Sequence, residues 1–297
     1  MPIITISRGT LSGGEALANR LSQKSGFPVL GLEVIKDTAT HYGISESAIS
    51  QQLKQGPSVI ERLVGDKRRT YVIALQSALA ERALKGSFIY HGLAGHFLFP
   101  EVPNILKVRL VAPLAQRIKS VVERKRFKAE EAAKYIENVD EKRKQWTRFL
   151  YDVDWTDPML YDIVINLDQI ALDTACGMIL YALDQPEFKD TPEKAKAIQN
   201  LALSSQVRAK LALDQRTRGM ELEVEAKNGK VLVKGQLFTT VRPPATGMQR
   251  TKDYIREIAT GMPGVKEITI DLKLSPNPEA FCKERQPTRM RFPMHWG

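Results

Sequence analysis

Between Arg8 and Glu15 the chain reads RGTLSGGE, directly after the apolar run Ile3–Ile6 and directly before a helical stripe of Ala16, Leu17 and Leu21. A strand, a glycine-rich turn and a helix start together make a phosphate cradle: backbone N–H groups point inward where the helix begins, and glycine reaches the dihedrals that this requires. Ser12, Gly13 and Gly14 are placed to supply those N–H groups, and Arg8 to supply a nearby positive charge. Read loosely as G-x-x-x-x-G, the loop runs from Gly9 to Gly14. The lysine and Ser/Thr that usually close such a loop are absent, and Glu15 stands where a cation is expected. Taken alone, the same residues also fit an ordinary tight turn.

A second group of chemistry-bearing residues lies further along. Arg117, Arg124, Arg126, Arg143 and Arg148 fall within 32 residues on two expected helices. Phosphoryl transfer needs positioning and neutralisation of charge on phosphate oxygens, and arginines on a mobile cover suit both needs. The competing reading is a solvated helix face, paired at helical spacing with Glu123, Glu130 and Asp140. Residues 115–150 hold eleven Lys/Arg against six Asp/Glu, and residues 215–297 hold fifteen against nine. Much of the formal charge of +10 therefore sits in these two regions, which points to anionic partners. Nucleic-acid or membrane-surface binding has only this charge behind it, since no recognition motif accompanies it. His91 and His96 flank Gly92 and are expected to be structural more readily than ligand-binding, while His41 and His295 show no partner. No Ser/His/Asp set is arguable, and no metal site is expected. Cys176 and Cys282 are too few and too far apart for a disulfide framework or a zinc site.

The elements that must position these residues alternate. Strands are expected at Ile3–Ser7, within 26–35, within 86–100, at Ile105–Ala112 and at Tyr161–Leu167. Helices are expected over 14–25, after Ser45, over 58–84 with the cluster Lys67, Arg68 and Arg69, through 113–150, and over 172–183. Strands alternating with helices predict an α/β fold with a parallel sheet, helices on both faces, and ligands at the carboxyl ends of the strands. The opening turn, the Gly92 turn and the basic segment all follow strands, so they can meet in one cleft. A polar, proline-containing stretch near 184–196 reads as a linker. After it come an Ala/Leu-rich helix over 193–214, two alternating strands around Asn228-Gly229, a helix over 252–260 and a strand over 265–274. The segment between the hairpin and that helix is expected to be a loop carrying Arg242, Arg250 and Lys252, and the basic, proline-rich end an extended tail. The 43% hydrophobic content supports a real core. The lack of a long apolar run, of a basic leader and of a cysteine framework leads us to expect a cytoplasmic protein without a transmembrane helix.

In this order of elements, residues 1–183 resemble the cytidylate kinase-like branch of the P-loop nucleoside monophosphate kinases. The carriers are "ITISRGTLSGG", "FIYHGLAGHFL", "VAPLAQRI", "VDEKR" and "WTDPMLYDIVINLDQI". The resemblance implies a P-loop NTPase-type parallel sheet flanked by helices over residues 1–184, with a helical lid at about 113–150. It implies ATP and Mg²⁺ as cofactors, a nucleotide small molecule as partner and phosphoryl transfer to a nucleoside monophosphate. Arg117, Arg143 and Arg124 would be catalytic, Arg8, Ser12, Gly13 and Gly14 would bind phosphate, and Gly92, His91 and Arg69 would bind substrate. Three positions depart from the family pattern. Gly14 or Glu15 stands at the loop's basic position, Ala16 near the magnesium-binding hydroxyl, and Leu93 follows Gly92 where an arginine is usual. These departures predict reduced activity, or alternatively a degenerate kinase fold, a pseudokinase, that senses a nucleotide or phosphorylated ligand.

Beyond a linker at 185–196, residues 197–274 resemble a BON domain through "VRAKLALDQ", "ELEVEAKNGKVLVKG", "DYIREIATGMPGV" and "VKEITIDL", with a basic tail at 275–297. That resemblance implies a small α+β interaction module for a protein or anionic-lipid partner.

Overall fold

The computed structural model describes residues 2–43, 45, 67–92, 95–100, 102–218, 220–238 and 245–275. Five parallel strands form the main sheet in the order β2-β3-β1-β4-β5: β1 Ile3–Arg8, β2 Val29–Leu30, β3 Phe88–Tyr90, β4 Ile105–Val111 and β5 Ile163–Asn166. Ile4 of β1 lies between Ile89 and Leu106, and Val108 faces Ile163. Alternation along β1 and β4 sends Ile4, Ile6, Leu106, Val108 and Leu110 to one face. There they meet Leu17 and Leu21 of α1 (Gly14–Ser25) and Ile179 of the helix Leu172–Leu183. Each such side chain, once removed from water, contributes about 1.5–3 kcal/mol.

On the opposite face Ile3, Phe88, Tyr90 and Ile105 pack with α2 (Leu32–Tyr42) and α3 (Lys67–Lys85) through Val34, Val72, Leu75 and Leu79. Toward the carboxyl end of β1 this face turns polar, with Thr5 and Ser7 both buried. The polarity changes just where the chain enters the glycine-rich loop.

Two helices form the basic hairpin, α4 (Leu114–Lys125) and α5 (Ala129–Tyr151). Val121, Ala132 and Ile136 make a small core between them, and Leu11 of the loop packs onto it. The helix α6 (Leu172–Leu183) then returns the chain. Trp146 of α5 is buried in the α3 face of the main core.

Several expectations change. The chain over 32–35 is helical rather than extended, because α2 begins at Leu32. Four β-branched residues (Val34, Ile35, Thr38 and Thr40) hide this helix from propensity, and burial of Val34 and docking on α3 override it. Thr38 bonds back to the Val34 carbonyl at 2.6 Å, and Tyr42 donates to Ser77 at 2.6 Å. The helix expected after Ser45 and the first part of the long helix lie outside the described residues, as do Cys282, His295, Arg242 and the tail. His41 has a partner after all, Glu81 at 3.8 Å.

Residues 185–196 carry a 3-10 turn at Pro186–Phe188 and the first turn of α7 (Pro192–Leu213). Lys194, 1% exposed, donates to the Asn104 carbonyl at 2.9 Å and fixes this stretch to the start of β4. Ile198 of α7 belongs to the main core, while Leu203, Val207 and Leu211 further along belong to a second one. That second core lies beneath a sheet of β6 (Glu221–Lys227), β7 (Lys230–Phe238) and β8 (Glu267–Ser275). β6 and β7 are antiparallel about Asn228 and Gly229, both with positive φ (53° and 87°), and β8 runs parallel to β7. The helix α8 (Ala245–Thr260) completes it through Ile255 and Ala259. It starts seven residues before the expected position, so Arg250 and Lys252 sit on a helix, not on a loop. Among the described residues no helix is long and apolar enough to cross a membrane.

Candidate active site

The loop that leaves β1 bends at Leu11 and Gly13, which have φ of 55° and 82°. Ser12 closes a turn onto the Gly9 carbonyl at 3.3 Å, and α1 starts at Gly14. Leucine in the left-handed region is costly, and its packing between α4 and α5 offsets that cost. Ser12 and Thr10 are buried at the base of the loop.

Three arginines from three elements converge here. Arg8, the last residue of β1, lies against the first turn of α1, so close that a Cβ at Gly14 would fall 2.0 Å from its Cδ. Arg117 of α4 donates through Nε to the Thr10 carbonyl at 2.8 Å and pairs with Asp140. Arg143 of α5 donates to the Arg8 carbonyl at 3.0 Å and also approaches Asp140, at 3.5 Å. Asp140 in turn accepts from the Thr10 N–H at 2.9 Å and the Thr10 hydroxyl at 2.8 Å.

Burial, then the charges of Arg8 and Arg117, push the Arg143 guanidinium down to about 10, and Asp140 partly offsets them. It remains charged at neutral pH. Burial likewise lowers Arg8, against the opposing pull of Glu15, and the buried Nε of Arg8 has no hydrogen-bond partner among the described residues. Three guanidiniums in a half-buried site, faced by the carboxylates of Asp140 and Glu15, favour a further anion.

Glu15 points along α1 and pairs with Arg124 of α4 at 3.2 Å, both side chains 59% exposed. Its exposed carboxylate therefore pairs with the hairpin at the rim and from there also acts as the main opposing charge on Arg8. Arg124 accordingly stands at the rim. Arg126 ends α4 in a left-handed turn and, like Arg148, is exposed.

Of the residues expected to bind substrate, His91 and Gly92 follow the end of β3. The His91 N–H donates to the Leu30 carbonyl at 3.1 Å. Tyr90 folds over Gly92, where a Cβ would fall 2.1 Å from its hydroxyl, so no side chain fits there. Burial pushes the Tyr90 phenol up, with the charge of Arg8 opposing it, so Tyr90 stays neutral. The backbone of Arg69 is in the first turn of α3, while its side chain and the whole of Leu93 lie outside the described residues.

His96 is buried in a 3-10 turn, Gly95–Leu98, with its ring 4.9 Å from that of Tyr161. Burial and Lys107 push it down to about 3, so it is a neutral structural group. Beside the loop, a cleft of about 520 Å³ is walled by Gly9, Ser12, Arg117 and Asp140 on one side and by Arg109, Trp155 and Thr156 on the other. Arg109 lies over the Trp155 ring at 5.2 Å and donates to the Thr156 carbonyl.

Sequence reasoning read Asp140 only as a helix-face partner and did not single out Thr10, Tyr90 or Arg109. The three-residue spacing of Asp140 and Arg143 was visible, but their common target, 130 or more residues earlier, was not.

A cation belongs beside the triphosphate of ATP, and the three-arginine set provides one. For Mg²⁺ the chain offers less: Ala16 has no oxygen, the Thr10 hydroxyl is held by Asp140, and among the described residues no cluster of three His, Cys, Asp or Glu forms.

The sequence model of the cytidylate kinase-like family matches residues 3–169. The cytidylate kinase of Methanothrix thermoacetophila is 30% identical over 166 residues, covering 55% of this chain and 87% of that one. The cytidylate kinase of Methanopyrus kandleri is 26% identical over 194 residues, covering 64% and 97%. An uncharacterized protein from Eubacterium ventriosum, solved by crystallography, shares the fold with a TM-score of 0.50 at 22% identity, covering 62% of this chain and 99% of its own. The parallel sheet, the loop after β1 and the match over more than half of its length agree: this chain belongs to the cytidylate kinase-like family.

Proposed function

We propose that the chain transfers the γ-phosphoryl group of ATP to a nucleoside monophosphate, with Arg8 in place of the cation that its loop lacks. The observation that carries this reading is the convergence of Arg8, Arg117 and Arg143 on the Gly9–Gly14 loop. An oxygen of the acceptor phosphate bonds to the γ-phosphorus as the bond to the β,γ-bridging oxygen breaks, leaving ADP and a nucleoside diphosphate. Gly13 and Gly14, joined by Ser12 once its turn onto Gly9 opens, hold the donor phosphates by backbone N–H groups, and Arg117 and Arg143 neutralise the oxygens in transit. The acceptor lies toward Gly92 and His91 at the end of β3, with Arg69 in the first turn of α3. Mg²⁺ would add charge neutralisation, but among the described residues no set of side chains fits it. A coupled assay over the common monophosphates, CMP first, tests this. Turnover that Arg143→Ala reduces by about 10²-fold or more supports it, and silence at high enzyme concentration defeats it.

The alternative is a nucleotide sensor, favoured by Ala16 and by the helix α7, which feeds both cores. In either case we read residues 1–184 as the kinase-like unit and 197–274 as a BON-like interaction module. The outer face of its sheet pairs Lys230 with Glu267 and Lys234 with Glu225, a neutralised pattern that suits a protein partner better than anionic lipid.

A further inference from the structure

The donors that meet at Asp140 are an unusual set for a carboxylate on a helix surface. A loop N–H, a hydroxyl and two guanidiniums from separate elements all address it: Thr10 N at 2.9 Å, Thr10 Oγ1 at 2.8 Å, Arg117 Nη2, and Arg143 Nη1 at 3.5 Å. This is the donor chemistry of an oxyanion site, in which backbone N–H groups and arginines share one acceptor. Asp140 satisfies it from α5, 130 residues away in sequence.

We propose that Asp140 is an internal anion: it takes the position in the Thr10–Arg117–Arg143 site that a phosphoryl oxygen takes in the loaded protein, and binding must displace it. The inference rests on the phosphate-site reading above and adds a competition to it. Its geometric support extends beyond the carboxylate. Leu11, next to Thr10, sits at φ 55° with its side chain in the small core of α4 and α5, so the same loop is held to the same hairpin by an apolar contact. Arg124 and Glu15 make a third tie, at the rim. The hairpin is therefore latched onto the loop by the protein's own groups, and an incoming anion exchanges one carboxylate for its own oxygens. Arg8, Arg117 and Arg143 thus share the carboxylate of Asp140 at the loop, with burial, then Arg8 and Arg117, lowering Arg143.

Inorganic tripolyphosphate is the probe, because it presents only phosphate oxygens. Titration calorimetry on the full chain compares wild type with Asp140→Asn, which keeps the shape and one carbonyl acceptor but removes the charge. The expected result is binding roughly tenfold tighter in the variant, the factor associated with one charge-assisted hydrogen bond. Equal or weaker binding by a variant with a wild-type melting profile overturns the inference and leaves the phosphate site standing. Absence of binding by wild type and variant alike defeats the phosphate site itself. Hydrogen exchange on the wild type needs no variant. Tripolyphosphate should lower protection over residues 137–144 of α5 as Asp140 leaves, and raised protection there overturns the proposal.

Discussion

Arg8 crosses Gly14 so closely that a Cβ at Gly14 would stand 2.0 Å from Arg8 Cδ and 2.6 Å from its Nε. The end of β1 and the start of α1 are thus interlocked, with the Arg8 side chain lying against the first turn of the helix. In the function proposed above, a cation from the strand would replace one from the loop, provided nothing larger than hydrogen occupies position 14.

Arg8→Ala should therefore weaken ATP binding by roughly tenfold to a hundredfold, the range for one charge-assisted hydrogen bond. Gly14→Ala should weaken it similarly by displacing Arg8, while leaving the charge count unchanged. Calorimetry with ATP and Mg²⁺ reads both. Undiminished binding by Gly14→Ala would show that the placement of Arg8 is irrelevant.

Glu15 lies in the first turn of α1, yet it is exposed and paired with exposed Arg124. Such pairs contribute between zero and about 1 kcal/mol and are screened by salt. Glu15→Gln should shift the melting temperature by no more than a few degrees and the ATP affinity by less than about threefold. A large gain in affinity, measured by the same titration, would place the carboxylate inside the phosphate site instead.

His96 is buried and neutral, with Lys107 and Tyr161 facing it. Its folded pKa of about 3 lies below the unfolded value near 6.5, so the unfolded chain binds the extra proton first. The stability that the neutral imidazole permits is fully present above about pH 6.5 and falls as pH drops from there toward about 3. Denaturant unfolding between pH 7 and 4 should show that loss, and His96→Asn should flatten it. An unchanged slope in the variant would assign acid sensitivity to other groups.

α7 carries Ile198 into the main core and Val207 into the second, both nearly inaccessible to solvent. Ile198→Ala should cost about 2–5 kcal/mol, and Val207→Ala somewhat less. Because one helix serves both cores, each substitution should lower the melting of both units together. Calorimetry that resolved two independent transitions, with only one displaced by each variant, would contradict this.

Local pattern determined a good deal of this protein. Alternation in IITIS and ILKVRLV fixes strands whose neighbouring side chains must face opposite ways, and the glycines after β1 permit only a tight entry into a helix. Asn228-Gly229 between alternating runs specifies the hairpin, and the arginines of α4 and α5 are visible as a basic segment. These features depend on residues within a few positions of one another, where periodicity acts. The tertiary structure decided the rest. It made a helix of the β-branched stretch 32–42 by burying Val34 against α3, and it turned Glu15 outward to Arg124. It also brought Arg8, Arg117, Asp140 and Arg143 to one loop across more than a hundred residues. No spacing along the chain encodes such a meeting. It follows from the strand order β2-β3-β1-β4-β5, which places the end of β1 beside β4 and so beneath the helices that follow β4.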